Sequence, residues 1–225
     1  MKRSVINNYI KEVKEFIDGR QYVLPPFAYW SPDEWKTKGP EYDEIRKNML
    51  GWDLTDFGSG DYEKLGLFLF TIRNGNIANP KAKTYAEKML VIKKGQVTPF
   101  HYHQSKMEDI INRGKSGTLK IKLYKSLDEH TLDEKSDVPV SVDGRNYTVK
   151  AGTTLSIGKG ESITLHQGVF HEFWSDDEML LVGEVSMVND DTCDNFFLVE
   201  RGRFPVIEED EKPIHLLVGD YGKYS

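Results

Sequence analysis

Apolar residues change their spacing partway along the chain. Near the N-terminus Val5, Ile6, Tyr9, Ile10, Val13, Phe16 and Ile17 recur with the period of a helix that buries one stripe. Ser4 is placed to cap its start and Gly19 to stop it. Ser31-Pro32-Asp33-Glu34 carries the cap, first-turn proline and capping-box glutamate of a second helix start. A third helix is predicted over residues 42–49, ended by Gly51. These segments are too sparse for a bundle of their own, so they are expected to cover one face of the more C-terminal chain.

From Leu65 onward the texture becomes short β-like runs broken by turn residues. Residues 65–72 form a near-continuous apolar strand closed by Asn74-Gly75, residues 89–92 end at Gly95, and residues 119–123 alternate with period two. Residues 140–142 and 147–149 flank Asp143-Gly144, a strong hairpin signal. Residues 153–157, 162–165 and 179–188 come next at the spacing of a sandwich or barrel. No repeat or linker divides the region, and the acidic run Glu208-Glu209-Asp210-Glu211 reads as a solvated loop. The pattern predicts a mainly β protein. A helical arm (residues 1–60) packs on a β-barrel with a C-terminal extension (residues 61–225), in one structural domain.

Composition narrows the function classes. A single cysteine among 225 residues excludes an internal disulfide framework and a cysteine-built zinc site. A net charge of −6, with both signs mixed along the chain, argues against nucleic acid as a main partner. No run approaches the roughly 20 apolar residues that span a bilayer. The opening Met1-Lys2-Arg3-Ser4 does not lead into a signal-peptide core. A soluble cytoplasmic protein without a membrane partner is the expectation.

Four of the six histidines fall at His101, His103, His166 and His171. On an extended strand residues i and i+2 face the same way, so His101 and His103 present both imidazoles to one side. Pro99 makes this an edge or bulged strand. With Glu108 on the next strand, its carboxylate can return to the same point, and a fourth ligand can come from His171 or His166. Imidazoles with a carboxylate form a donor set suited to Mn²⁺, Fe²⁺, Co²⁺, Ni²⁺ or Zn²⁺. Four protein ligands on an octahedral ion leave two positions open for water or substrate, which is a catalytic arrangement.

Gly95-x5-His101-x-His103-x4-Glu108, with Gly160 and Gly168-x2-His171 further along, resembles the two motifs of the cupin superfamily. The resemblance implies a jelly-roll barrel (a double-stranded β-helix) with His101, His103, Glu108 and His171 as metal ligands. Three positions depart from the pattern: His166 stands where proline is usual, Ser175 where asparagine is common, and Gly114 comes one residue early. None removes a ligand, and His166 becomes an extra imidazole lining the pocket or packing beside it.

A longer resemblance is more specific. Lys106-Met107-Glu108-Asp109-Ile110-Ile111-Asn112-Arg113-Gly114, Val182-Gly183-Glu184-Val185-Ser186 with Asn189-Asp190-Asp191, and Gly202-Arg203-Phe204-Pro205 with Ile207-Glu208-Glu209-Asp210 are similar to the D-lyxose isomerase family over nearly the whole chain. This implies a Mn²⁺-dependent aldose–ketose isomerase acting on D-lyxose and D-xylulose, and on D-mannose and D-fructose, in a homodimer. Such chemistry needs a base for the C2 proton and an acid–base partner for O1 and O2. Glu184, in an otherwise apolar strand, is the expected base, with basicity raised by burial. Lys106, two residues from Glu108, is the expected electrophile or proton donor. Arg203, Glu208, His166 and Trp174 are expected substrate-binding residues, Phe100, Tyr102 and Phe173 further walls, and Cys193 inert. Rival readings are a sugar-phosphate isomerase, an Fe²⁺ cupin dioxygenase and a non-catalytic sugar binder. The first would need several convergent basic residues, and no compact cluster lies near the motifs.

Overall fold

The computed structural model describes residues 1–79, 81–189, 194–202 and 205–224. Helix α1 (Arg3–Asp18) is followed by the short helices α2 (Pro32–Trp35) and α3 (Asp43–Lys47). The strands then run β1 (Gly51–Thr55), β2 (Leu67–Arg73), β3 (Tyr85–Ile92), β4 (Val97–His103), β5 (Glu108–Asn112), β6 (Leu119–Asp128) and β7 (Thr131–Asp133). They continue as β8 (Val138–Val142), β9 (Arg145–Val149), β10 (Thr154–Ile157), β11 (Ser162–Leu165), β12 (Val169–Ser175), β13 (Leu180–Met187) and β14 (Asn195–Phe197), before a last turn, α4 (Tyr221–Tyr224).

Two antiparallel sheets face each other. One has the order β1-β2-β3-β13-β5-β11-β8-β9; the other has β10-β6-β12-β4-β14, with β7 on β6. Late strands sit between early ones, β13 between β3 and β5 and β12 between β6 and β4, which is the predicted jelly-roll arrangement. At Asp143-Gly144 both φ angles are positive, 48° and 77°, so the β8–β9 hairpin turns through the two left-handed residues its sequence foretold.

Strand β2 reads as a continuous apolar run because both of its faces are buried. Leu67 and Leu69 point between the sheets, with Leu90, Ile110, Ile121 and Val182. Phe68 and Phe70 point the other way, against the α1 stripe of Ile6, Ile10, Val13 and Ile17. Helix α1 therefore covers the outer face of the eight-stranded sheet.

Three features differ from the sequence reading. Strand β1 lies inside the stretch assigned to the helical arm, where Gly51, Trp52 and Asp53 pair with β2. Ser4 does not cap α1: the first helical residue is Arg3, and the hydroxyl and backbone N–H of Ser4 donate to Asp210. The acidic run is accordingly more than a solvated loop. Glu209 and Asp220 both chelate the fully buried Arg3 guanidinium at 2.8–2.9 Å, and Glu211 accepts from Asn7. Asp210 thus takes up an orphan backbone N–H of α1, and the other carboxylates place negative charge near its positive dipole end, from some two hundred residues away in sequence.

Candidate metal centre and active site

His101 and His103 on β4, His171 on β12 and Glu108 at the start of β5 are all buried, with one ligand atom of each lying within 4.8 Å of the others. The histidines come from one sheet and the glutamate from the other. His171 pairs directly with His101 across the ladder, and the register slips between His171 and Phe173, so β4 carries its Pro99 through a bulge as expected.

The backbone sets each imidazole tautomer. The Nδ1 of His101 donates to the Pro99 carbonyl at 2.8 Å, that of His103 to Asp194 at 3.1 Å, and that of His171 to Val169 at 3.0 Å. A carbonyl only accepts, so each Nδ1 carries the proton and each Nε2 turns a lone pair inward. The Nε2 of His171 is buried without a hydrogen-bond partner, and Glu108 Oε1 lies 3.3 Å from it and 3.4 Å from the Nε2 of His103. Burial, with the neighbouring imidazoles, holds His101 well below its ordinary range, and burial followed by Lys106 lowers His103. Neutral imidazoles converging with a carboxylate on one point are what a divalent ion requires.

Beside this cluster lies a chain of charges. The buried Lys106 ammonium bonds Glu108 Oε2 at 2.7 Å, Glu184 Oε1 at 3.0 Å and Asn189 Oδ1 at 3.2 Å, so all three of its donors are used. Lys88, directly across the ladder from Glu184, approaches the same Oε1 at 3.2 Å and bonds Asn189 at 2.8 Å. Burial opposes the Lys106 charge, but Glu108 and Glu184 outweigh it and raise the pKa above the ordinary lysine value. Burial likewise pushes Glu108 up, and Lys106 and His103 more than reverse it, leaving the carboxyl well below the usual range.

Glu184 faces the barrel interior, as predicted, but its raised basicity is corrected. Burial raises it, while Lys106 and Lys88 together bring it below the ordinary glutamate value. The Asp194 carboxylate accepts the backbone N–H of both Ser105 and Lys106 and so holds the loop between β4 and β5.

The cavity between the sheets is lined by these groups together with Thr98, Phe173, Asn195 and Phe197. Several expected residues are elsewhere. Trp174 alternates with His171 and Phe173, so it points out of the barrel, where its Nε1 donates to Asp176. Phe100 and Tyr102 alternate with the two β4 histidines in the same way, packing on Tyr124 and on Phe170 and Phe196. His166 is exposed in the turn beyond β11, and Glu208 bonds through its backbone to Met1 and Arg3 at the start of α1. Arg203 and Cys193 lie outside the described residues. Lys88 and Asn189 were missed as site residues. Lys88 carried a signal, a charged side chain on the same strand face as the buried Ala86, Leu90 and Ile92.

Fold and site define a cupin-type jelly roll with a buried cluster of three histidines and a glutamate suited to a divalent metal. The sequence matches the family model described as D-lyxose isomerase over residues 1–221. It is 42% identical over 228 residues to a D-lyxose/D-mannose isomerase of Serratia proteamaculans, covering 100% of this chain and 99% of that protein. It is also 42% identical over 229 residues to one of Escherichia coli O157:H7, covering both in full. The chain belongs to the D-lyxose isomerase family, and it is a sugar isomerase. Among solved structures, an L-ribose isomerase variant of Acinetobacter sp. DL28 in complex with L-ribose superimposes with a TM-score of 0.61 at 12% identity, covering 92% of this chain and 98% of that one. The ligand-free L-ribose isomerase of Cellulomonas parahominis gives 0.56 at 15% identity, covering 86% and 91%. These two likenesses concern the fold.

Proposed function

We propose that the chain interconverts D-lyxose with D-xylulose and D-mannose with D-fructose by moving a proton between C1 and C2 of the free sugar. The observation that carries this is the Lys106–Glu184 contact of 3.0 Å immediately beside the His101, His103, Glu108 and His171 cluster. His101, His103, Glu108 and His171 would hold a divalent ion, Mn²⁺ in this reading. Such an ion would supply Lewis-acid polarisation of the sugar carbonyl. Glu184 takes the proton from C2 and returns it at C1. Lys106, kept cationic between two carboxylates, gives a proton to O1 and recovers one from O2, so the exchange balances without another reactant. Lys88 and Asn189 hold Glu184 and Lys106 in place. Phe173 and Phe197 exclude water beside the reacting carbons.

A free sugar is favoured over a sugar phosphate because the cavity's lysines, Lys88 and Lys106, are both committed to Glu184 and Asn189. A cytoplasmic homodimer is the working form in this reading, and among the described residues no helix is long and apolar enough to cross a membrane. The test is anaerobic incubation with D-lyxose, D-mannose and their phosphates, with Mn²⁺ and with chelator. Ketose from the free aldoses, lost on chelation, is the expected result. No ketose from either free aldose overturns the proposal, and ketose from the phosphates alone transfers it to the sugar-phosphate reading. A strict need for oxygen selects the Fe²⁺ dioxygenase, and sugar binding without turnover selects the binder.

A further inference from the structure

Behind the catalytic cavity, on the outer face of the eight-stranded sheet, lies a cleft of about 300 Å³ bordered by Arg20, Tyr22, Arg113, Lys115 and Gly183. It opens where the cover provided by α1 stops. Leu181 packs beneath the helix; two residues on, along the same face of β13, Gly183 leaves a floor of bare backbone beside Ile111. The chain leaving α1 brings Arg20 and Tyr22 to one edge, and the segment after β5 brings Arg113 and Lys115 to the other. Arg113 reaches over the floor, where a Cβ on Gly183 would come within 3.3 Å of its Nε.

The charges of this cleft are unbalanced. Its carboxylate, Glu87, is already paired with Arg73 at 3.0 Å. Lys88 and Glu184 also border it, but their charged ends meet inside the barrel. The Arg113 backbone N–H donates to the Leu181 carbonyl at 2.9 Å, and its guanidinium makes no hydrogen bond or ion pair with any described residue. Lys115 uses one donor, on the Gly19 carbonyl at 2.8 Å. The Arg20 guanidinium lies 3.4 Å from the centre of the Phe16 ring and donates through Nη1 to the Phe16 carbonyl, while its Nε is buried with no partner. Burial lowers the Arg20 pKa, and the approach of Glu178 does not restore it. An orphaned N–H is rare in a folded protein and points to an absent acceptor.

We propose that this cleft is a second ligand site, for a small phosphate-bearing anion. Guanidinium forks match the planar spacing of phosphate oxygens, and Arg20 and Arg113 with the Lys115 ammonium balance a dianion. In a chain of net charge −6 they form a local reversal of sign that draws such an ion in. Tyr22 supplies a wall for the organic part. The convergent basic residues that a phosphate needs, absent near the histidine motifs, meet here on the far side of the same strand that carries Glu184. The site is thus separate from the substrate cavity, and the inference does not depend on which sugar is isomerised.

The test is calorimetric titration of chelator-treated, metal-free protein with inorganic phosphate, glycerol 3-phosphate and, as a control, glycerol. Wild type is expected to bind both phosphates saturably and one per chain, with no signal for glycerol. The double variant Arg113→Ala/Lys115→Ala is expected to bind at least about tenfold more weakly, the loss of two charge-assisted contacts. Its sugar turnover stays at the wild-type rate, and its melting temperature matches wild type in phosphate-free buffer but no longer rises on adding phosphate. Absence of saturable phosphate binding up to about 10 mM, or equal affinity in the double variant, overturns the proposal.

Discussion

The ammonium of Lys106 stands 3.0 Å from Oε1 of Glu184, although the two are 78 residues apart and belong to a loop and to the middle of β13. Because Lys106 also contacts Glu108 at 2.7 Å, one side chain links the metal cluster to the proposed base.

Replacing Lys106 by Met leaves two buried carboxylates facing each other without their shared cation. Turnover is expected to fall by about 10²-fold or more, the scale of general acid–base work. Arginine is not expected to rescue it, since a planar fork does not fit three acceptors gathered around one nitrogen. Steady-state rates checked against metal content by elemental analysis measure both statements.

The histidines test the cluster itself. His101→Ala or His171→Ala removes one of the four donors gathered in the cluster. Affinity for Mn²⁺ is expected to fall by more than the about 10–100-fold that loss of an outer hydrogen-bond partner costs. Metal retained after dialysis, at the wild-type level, contradicts the ligand set.

The residues placed outside the cavity yield the opposite expectation. Trp174→Ala and His166→Ala should change kcat/KM by less than about twofold, the effect of the roughly 0.5 kcal/mol typical of surface changes. Steady-state kinetics on both variants check it.

At the other end of the molecule, Arg3→Met leaves Asp220 buried without its cation and is expected to cost about 3–5 kcal/mol of stability. The Arg3 side chain bonds Glu209 and brings its pKa from 4.5 to about 2. A depressed carboxylate stabilises the fold above its unfolded pKa, so this contribution is complete above about pH 4.5 and fades as pH falls toward 2. Denaturant midpoints of wild type and variant should therefore converge between pH 5 and 2.

Local pattern carried the parts of this fold that depend on one element at a time. The α1 stripe and the run around Phe68 and Phe70 were readable because each buries its own apolar face. The His101-x-His103 pair was readable because strand alternation places both rings on one side. Alternation also separates Trp174 from Phe173, but only once His171 is known to face inward. The lowered basicity of Glu184 lay beyond local pattern, because it depends on Lys106 reaching in from the β4–β5 loop and on Lys88 standing opposite in the β3–β13 register. The same holds for the acidic run at Glu209 and Asp210, whose partners Arg3 and Ser4 are 206 residues away.

The most direct test of the central claim is the rate of Glu184→Gln with one metal ion bound per chain. The variant keeps the shape of the side chain and leaves all four metal ligands in place. Unchanged metal content and sugar affinity are expected, with kcat for D-lyxose reduced by about 10²-fold or more. A metal-loaded variant that turns over at the wild-type rate contradicts the claim.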